Sequence, residues 1–201
     1  MFQPFAAIRA IRVTMSVVCC LWAMEASAAT RLVPSQYPTI QAAIDASVNG
    51  DIVEITDGVY TGPGNRDLDF GGKAITVRSE SGDPTMCIID CQGSGRGFSF
   101  NNREGDDSIV DGLTIRNGQA DTGGGLYCYR LSPMLTNCTI FGNTSRYSGG
   151  GLYCSRSNPI LTNCAIDGNT ASSGGGLYCS SSNPILTNCT INGNTVTYDG
   201  G

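Results

Sequence analysis

Histidine is absent from this 201-residue chain, which removes the side chain most often used as a general base near neutral pH. Charge is also scarce, at 14% of residues against the roughly 25% of an average soluble protein. The basic residues are scattered singly and the formal net charge is −5, so neither nucleic acid nor an acidic membrane surface has an electrostatic footprint to bind. No apolar run is long enough to cross a bilayer. Calcium-binding repeats of the GGxGxD type are missing as well. What the chain has in abundance is glycine, 27 residues of it, a composition that suits a turn-rich, all-β protein.

The first 28 residues read as a secretory signal peptide. Arg9 and Arg12 form the positive region, Val13 to Ala23 the apolar core, and Ala26-Ser27-Ala28 the small-residue cleavage site. Ser16-Val17-Val18 before Cys19 fits a lipoprotein anchor poorly. Cleavage after Ala28 removes Arg9, Arg12 and Glu25, takes the formal charge to −6, and leaves eight cysteines. The expected location is secreted, periplasmic or cell-surface, with no transmembrane segment in the mature chain.

From Gly123 onward one sentence of sequence is written three times. The copies occupy 123–148, 149–173 and 174–199, begin with Gly123, Gly149 and Gly174, and are followed by Gly200 and Gly201, which open another. A period of 25 or 26 residues signals a solenoid, in which each repeat buries its apolar face only by stacking on its neighbours. Because the chain stops inside a repeat, further coils or a C-terminal domain are expected. The segment VDGLTIRNGQADT before Gly123 already matches the tail of each copy.

Upstream, 29–50 reads as a short strand and one helix, with Pro38 at its first position. Ile40, Ala43, Ile44, Ser47 and Val48 lie on one face, and Asn49-Gly50 is the stop. A solenoid exposes core at its ends, so this helix is expected to be a lid over the first coil. From 51 to 201 short β-prone runs alternate with turns: Ile52 to Ile55, Ala74 to Arg78, Cys87 to Asp90, Gly97 to Phe100 and Ser108 to Ile115.

The stretch YPTIQAAIDASVNGDIVEITDGVYTG, then KAITVRSESG and CIIDCQGSGRGF, then the NPILTNCTINGNT repeats, resembles the secreted right-handed parallel β-helix proteins of the pectin-lyase-like superfamily. The resemblance covers nearly all of 31–201 and implies an all-β parallel solenoid with an N-terminal capping helix. It is specific for fold and weak for activity, since the superfamily holds lyases, hydrolases, adhesins and proteins of no assigned chemistry.

A coil of about 25 residues suits three short strands joined by three turns, with coils about 4.8 Å apart. Alternation in GGGLYC sends Leu126, Leu152 and Leu177 inward with Cys128, Cys154 and Cys179, and Tyr127, Tyr153 and Tyr178 outward. Ile140, Ile166 and Ile191 also face inward. Cys138, Cys164 and Cys189 stand where the superfamily often carries a laddered turn Asn, and are placed inward near a corner. The cysteines leave several readings open: bridges along a column, a bridge across a coil such as Cys128 to Cys138, zinc, or buried thiols acting as small apolar fillers. Asn143, Asn169 and Asn194 are read as turn residues tolerant of left-handed backbone. Asn137, Asn143 and Asn188 match the glycosylation sequon, which the repeat itself explains. The glycine triplets are expected to make a tight bend before each strand.

The candidates for catalysis are Asp106, Asp107 and Asp111 with Arg116. Lyases of the superfamily use a calcium-binding carboxylate cluster with a basic residue, and hydrolases several Asp together. EGDDSIVDGLTIRNG reads instead as a turn leading into a strand, so these are expected to be solvated turn acids. No metal or cofactor site is expected, with calcium reserved for the lyase alternative. The candidate ligand-binding residues are Tyr127, Tyr153 and Tyr178, whose faces could stack on sugar rings, and Arg130 and Arg156, which could pair with uronate carboxylates. The expected function is an exported scaffold and binding module for extracellular or cell-surface polysaccharide. The alternatives are a polysaccharide lyase or glycoside hydrolase with catalytic coils beyond residue 201, and the passenger of a surface adhesin.

Overall fold

The computed structural model describes residues 27–101 and 107–198. Its strands form four parallel sheets stacked along the axis of a solenoid of about six coils. The first sheet stacks Thr30–Val33, Ile52–Ile55, Thr76–Ser79, Ile109–Asp111, Met134–Thr136, Ile160–Thr162 and Ile185–Thr187. The second stacks Gly58–Tyr60, Cys87–Asp90, Thr114–Arg116, Thr139–Phe141, Ala165–Asp167 and Thr190–Asn192, and the third Leu68–Asp69, Phe98–Phe100, Leu126–Tyr129, Leu152–Ser155 and Leu177–Ser180. A fourth sheet, which the three-strand expectation lacked, joins Gln119–Thr122, Thr144–Ser148, Thr170–Ala171 and Thr195–Val196. It is absent from the earliest described coils, which close with turns instead. The expected single run from Ser108 to Ile115 is two strands on two sheets. Gly112, with φ of 68°, turns the corner between them.

Period-two alternation sorts the side chains as expected. Leu126, Leu152, Cys128, Cys154, Ile140 and Ile166 are fully enclosed, while Leu177 is half-buried and Cys179 and Ile191 are exposed. Ile191 is nonetheless in register with Ile166, so its phase is inward and only a covering coil is missing among the described residues. The early coils fill the interior with Phe70, Phe98 and Phe100, whose rings meet edge-on or stacked. Later coils use Leu and Cys in the same place, Phe100 lying in register with Cys128.

The helix spans Ile40–Ala46 and packs on strands Thr30–Val33, Ile52–Ile55 and Leu68–Asp69 at the start of the first and third sheets. Its N-cap is Thr39, whose hydroxyl accepts from the Ala42 N–H, and so Pro38 precedes the cap instead of occupying the first turn. Ser47 is already extended, which carries Val48 off the buried face to 51% exposure. Lys73 Nζ donates to the Ile44 and Asp45 carbonyls, satisfying the helix C-terminus from outside.

Asparagine does two separate jobs. Asn143 and Asn169 are wholly buried, and with Asn194 they form an inner ladder. Asn169 Oδ1 accepts from both the backbone N–H and Nδ2 of Asn143, Asn194 Oδ1 does the same for Asn169, and Nδ2 of Asn143 and Asn169 donate to the Ile115 and Ile140 carbonyls. The left-handed asparagines are instead Asn117, Asn137, Asn163 and Asn188, with φ between 51° and 54°, and the glycine before each ladder residue, Gly142, Gly168 or Gly193, is left-handed too. The assignment of left-handed tolerance to Asn143, Asn169 and Asn194 is therefore corrected: they are ladder residues. Burial also closes the Asn143 sequon to modification.

The glycine triplets likewise divide their work. Gly149 bends the chain, with φ of 69°, whereas a Cβ on Gly150 would collide with the carbonyl oxygens of Thr170 and of Gly175 in the next repeat. The second glycine thus serves close approach between coils, not the bend.

At the N-terminal end Asp51 is nearly enclosed and accepts from the Ala29 and Val48 N–H groups and twice from Arg31. Burial alone would raise its carboxyl pKa, but these donors together hold it below the usual carboxylate value. Asp51→Asn should cost roughly 1–3 kcal/mol at neutral pH, because buried donors lose a charged acceptor. A depressed folded pKa contributes stability above the unfolded value, so this deficit should shrink as pH falls through the folded pKa, below 3.8. Urea unfolding of both proteins from pH 7 to pH 2.5 measures it; a deficit unchanged at low pH would contradict this role. Asn169→Ala strands two Asn143 donors and the Ile140 carbonyl, and should lose roughly 3 kcal/mol or more by the same measurement, against under 1 kcal/mol for exposed Asn117→Gly.

Candidate functional site

The third sheet and the turn that follows it bring together most of the residues anticipated for binding. Tyr127, Tyr153 and Tyr178 are in strict register, half-buried, with ring centroids 5.3 and 5.5 Å apart and planes within 4°. The rings therefore lie face against face along the solenoid axis. Tyr127 and Tyr153 thus cover each other, as do Tyr153 and Tyr178, and a ligand approaching from the side meets ring edges and hydroxyls. The geometry alters the expected mode of contact, since sugar stacking needs an open face.

The column continues below Tyr127 with Ser99 and Asp69. Because Ser99 is small, the outer face of Tyr127 is left for Arg96, whose guanidinium lies 4.9 Å from the ring centroid. Burial lowers the Arg96 pKa, with Asp67, Tyr127 and Asp121 opposing. Burial likewise raises Tyr127, with Tyr153 adding to it. Asp67, Asp69, Ser99, Asn101 and Asp121 complete a polar groove of about 550 Å³ beside this end of the stack. Asp67, in a left-handed conformation, also accepts from the Arg96 N–H at 3.0 Å. Sequence reading missed this group. Its one signal was phase: aligning RGFSF with GGLYC sets Arg96 two residues before the third-sheet strand and Ser99 in the tyrosine position.

Arg130 and Arg156 leave the same strands at corresponding turn positions of successive coils. Both are exposed, both have positive φ (61° and 52°), and neither joins an ion pair among the described residues. Arg130 lies 5.0 Å from the Tyr129 ring centroid. Their backbone N–H groups donate to Ser155 and Ser180, which fixes the turns one above the other.

The residues singled out for catalysis are not assembled. Asp111, on the first sheet, accepts from Asn137 Nδ2 at 3.1 Å. It thereby terminates an outer amide ladder in which Asn163 donates to Asn137 and Asn188 to Asn163. Arg116 is on the second sheet and pairs with Asp90 at 2.9 Å. Asp107 is exposed beside Asn49 and Thr76, and Asp106 lies outside the described residues. The two candidate acids that the structure describes, Asp107 and Asp111, thus have turn and ladder roles, and Arg116 pairs with neither of them.

All eight described cysteines are free thiols. Cys87 and Cys91 are pushed up to about 12 by burial. A hydrogen bond with Cys138 pulls the Cys164 thiol pKa down, and the same bond holds Cys138 up. Among the described residues no group of three or more His, Cys, Asp or Glu converges to hold a metal ion, and no helix is long and apolar enough to cross a membrane.

Among known proteins, no curated sequence and no solved structure matches the chain. A family model described as "Right handed beta helix region" matches residues 53–201, which takes in all the later coils with their tyrosine, asparagine and cysteine columns. The chain belongs to the right-handed β-helix family.

Proposed function

We propose that the chain is an exported, non-catalytic β-helix scaffold that binds an acidic extracellular or cell-surface polysaccharide along the third sheet. The observation that carries this reading is the pair Arg130 and Arg156, two exposed arginines whose backbone positions are one coil apart and which have no carboxylate partner among the described residues. Like charges at such a spacing repel by about 1 kcal/mol even in bulk water, and by more near a protein surface. An anionic polymer lying across the coils relieves that repulsion and can engage each guanidinium through paired hydrogen bonds. The adjacent tyrosine row offers hydroxyl groups at nearly the coil spacing, suited to sugar hydroxyls along the same line. Export rests on the leader pattern of residues 1–28, and the lack of catalysis on the separate engagement of Asp111 and Arg116.

Affinity electrophoresis in gels containing a uronate polymer or a neutral glucan tests this reading. Retardation is expected only with the uronate polymer, and raised salt should weaken it. The double variant Arg130→Ala/Arg156→Ala should lose affinity at least about 10-fold, and replacing Tyr127, Tyr153 and Tyr178 together by Phe should lose less while preserving the stack. Equal retardation by the neutral glucan, or by the arginine double variant, would sink the reading. Unsaturated products released from the uronate polymer with calcium would instead establish a lyase.

A further inference from the structure

The last residue of each third-sheet strand points outward, as the tyrosine row does two residues earlier, but its column is not uniform. Tyr129 closes the strand Leu126–Tyr129 and pairs in register with Ser155, which pairs in turn with Ser180. In the neighbouring column Tyr153 stands over Tyr127 and Tyr178 over Tyr153, so those rings cover one another. Tyr129 has only serine above it, and no ring stacks on it among the described residues.

Tyr129 is half-buried, and the Arg130 guanidinium lies over its ring, 5.0 Å from the centroid. A cation placed in this way takes one face of a ring and leaves the other. Asn101, Tyr129, Arg130 and Leu131 line a cavity of about 310 Å³, at the small end of the roughly 300–1,000 Å³ range of ligand pockets. An aromatic ring, an aliphatic side chain, an amide and a guanidinium thus meet in one concave place. Arg156 has no such surroundings. Ser155 stands where Tyr129 does, and Ser157, the counterpart of Leu131, is buried and donates to the Leu131 carbonyl.

We propose that Tyr129, Arg130 and Asn101 form a subsite for one uronate ring of the polymer, an inference that rests on the polysaccharide reading above and sharpens it. The C–H face of the sugar packs on Tyr129, its carboxylate accepts paired hydrogen bonds from Arg130, and its hydroxyls exchange hydrogen bonds with the Asn101 amide. Pairing with a carboxylate does not by itself tell a sugar from any other polyanion. A flat ring seated on Tyr129 does, because only a ring matches an aromatic face. The contact between Arg130 and Tyr129 also restrains the guanidinium before a ligand arrives, which reduces the ordering cost of binding. Arg156 lacks the platform, so the sugar next along the polymer is held there by charge alone.

The test is affinity electrophoresis of the full chain in a uronate polymer and in polyglutamate, which carries carboxylates but no sugar ring. The unsubstituted chain should bind the uronate polymer at least about 10-fold more tightly than polyglutamate. Tyr129→Ala should lose about 10-fold on the uronate polymer and nothing on polyglutamate, and Tyr129→Phe, which keeps the ring face, should bind both as the unsubstituted chain does. Arg130→Ala should weaken uronate binding more than Arg156→Ala. Undiminished uronate binding by Tyr129→Ala, equal losses by that variant on both polymers, or equal binding of the two polymers by the unsubstituted chain overturns the subsite and leaves the arginine-based reading standing. No retardation of the unsubstituted chain by the uronate polymer overturns both. Should Tyr129→Ala fail to fold, as judged by circular dichroism, the two arginine variants decide. A larger loss in Arg130→Ala supports the subsite, and an equal or smaller one rejects it.

Discussion

Everything in this molecule depends on in-register parallel stacking, which sets each residue of a coil directly over its counterpart one repeat away. The backbone bonds that enforce the stacking run continuously from coil to coil. A residue type repeated at one phase consequently becomes a column, and whatever that residue does to itself at about 4.8 Å is multiplied along the axis. Tyrosine stacks on tyrosine, asparagine hydrogen-bonds asparagine, and cysteine stands over cysteine. Arginine over arginine is the exception, because stacking cannot satisfy two like charges.

The same constraint explains why asparagine is used twice in each repeat with different backbones. In the inner ladder the amide turns into the core and supplies acceptors to buried N–H groups and donors to buried carbonyls, which is the condition for burying an irregular corner at all. In the outer ladder the left-handed backbone makes the corner, and the amides bond one another at the surface. Asp111 ends that outer ladder because an amide donor accepts a carboxylate neighbour as readily as an amide oxygen. A carboxylate in a suggestive sequence setting is thus accounted for by its neighbour one coil away.

On the outer face, stacking separates the surface into zones of different character. The faces of Tyr127 and Tyr153, and the face of Tyr178 turned to Tyr153, are spent on one another and on Arg96, leaving edges and hydroxyls along the row. Asp67, Asp69 and Asp121 make the groove at the Arg96 end acidic, while Arg130 and Arg156 make the neighbouring turns basic. An elongated anionic ligand would therefore lie on the arginine side of the row, and the acidic groove would limit how far it reaches toward the early coils.

The repeat period and the alternation within GGGLYC were sufficient to establish the solenoid, the inward Leu and Cys and the outward Tyr, because these follow from the two-residue period of a strand and from identical phase between copies, and the lid-like helix was legible in the helical phase of Ile40, Ala43 and Ile44. The first helical residue moved from Pro38 to Ile40, since Thr39 is the cap and a cap is decided by one hydroxyl reaching one N–H. The fourth sheet, the division of labour between Asn137 and Asn143, and the partners of Asp111 and Arg116 were decided by tertiary structure alone. Each depends on which way a corner turns, and at a corner the periodicity that carries information along the chain is interrupted. The tyrosine row shows the boundary most clearly. Its existence was written in the sequence, but whether its faces were open to a ligand depended on ring orientation, which neighbouring coils impose and no single repeat contains.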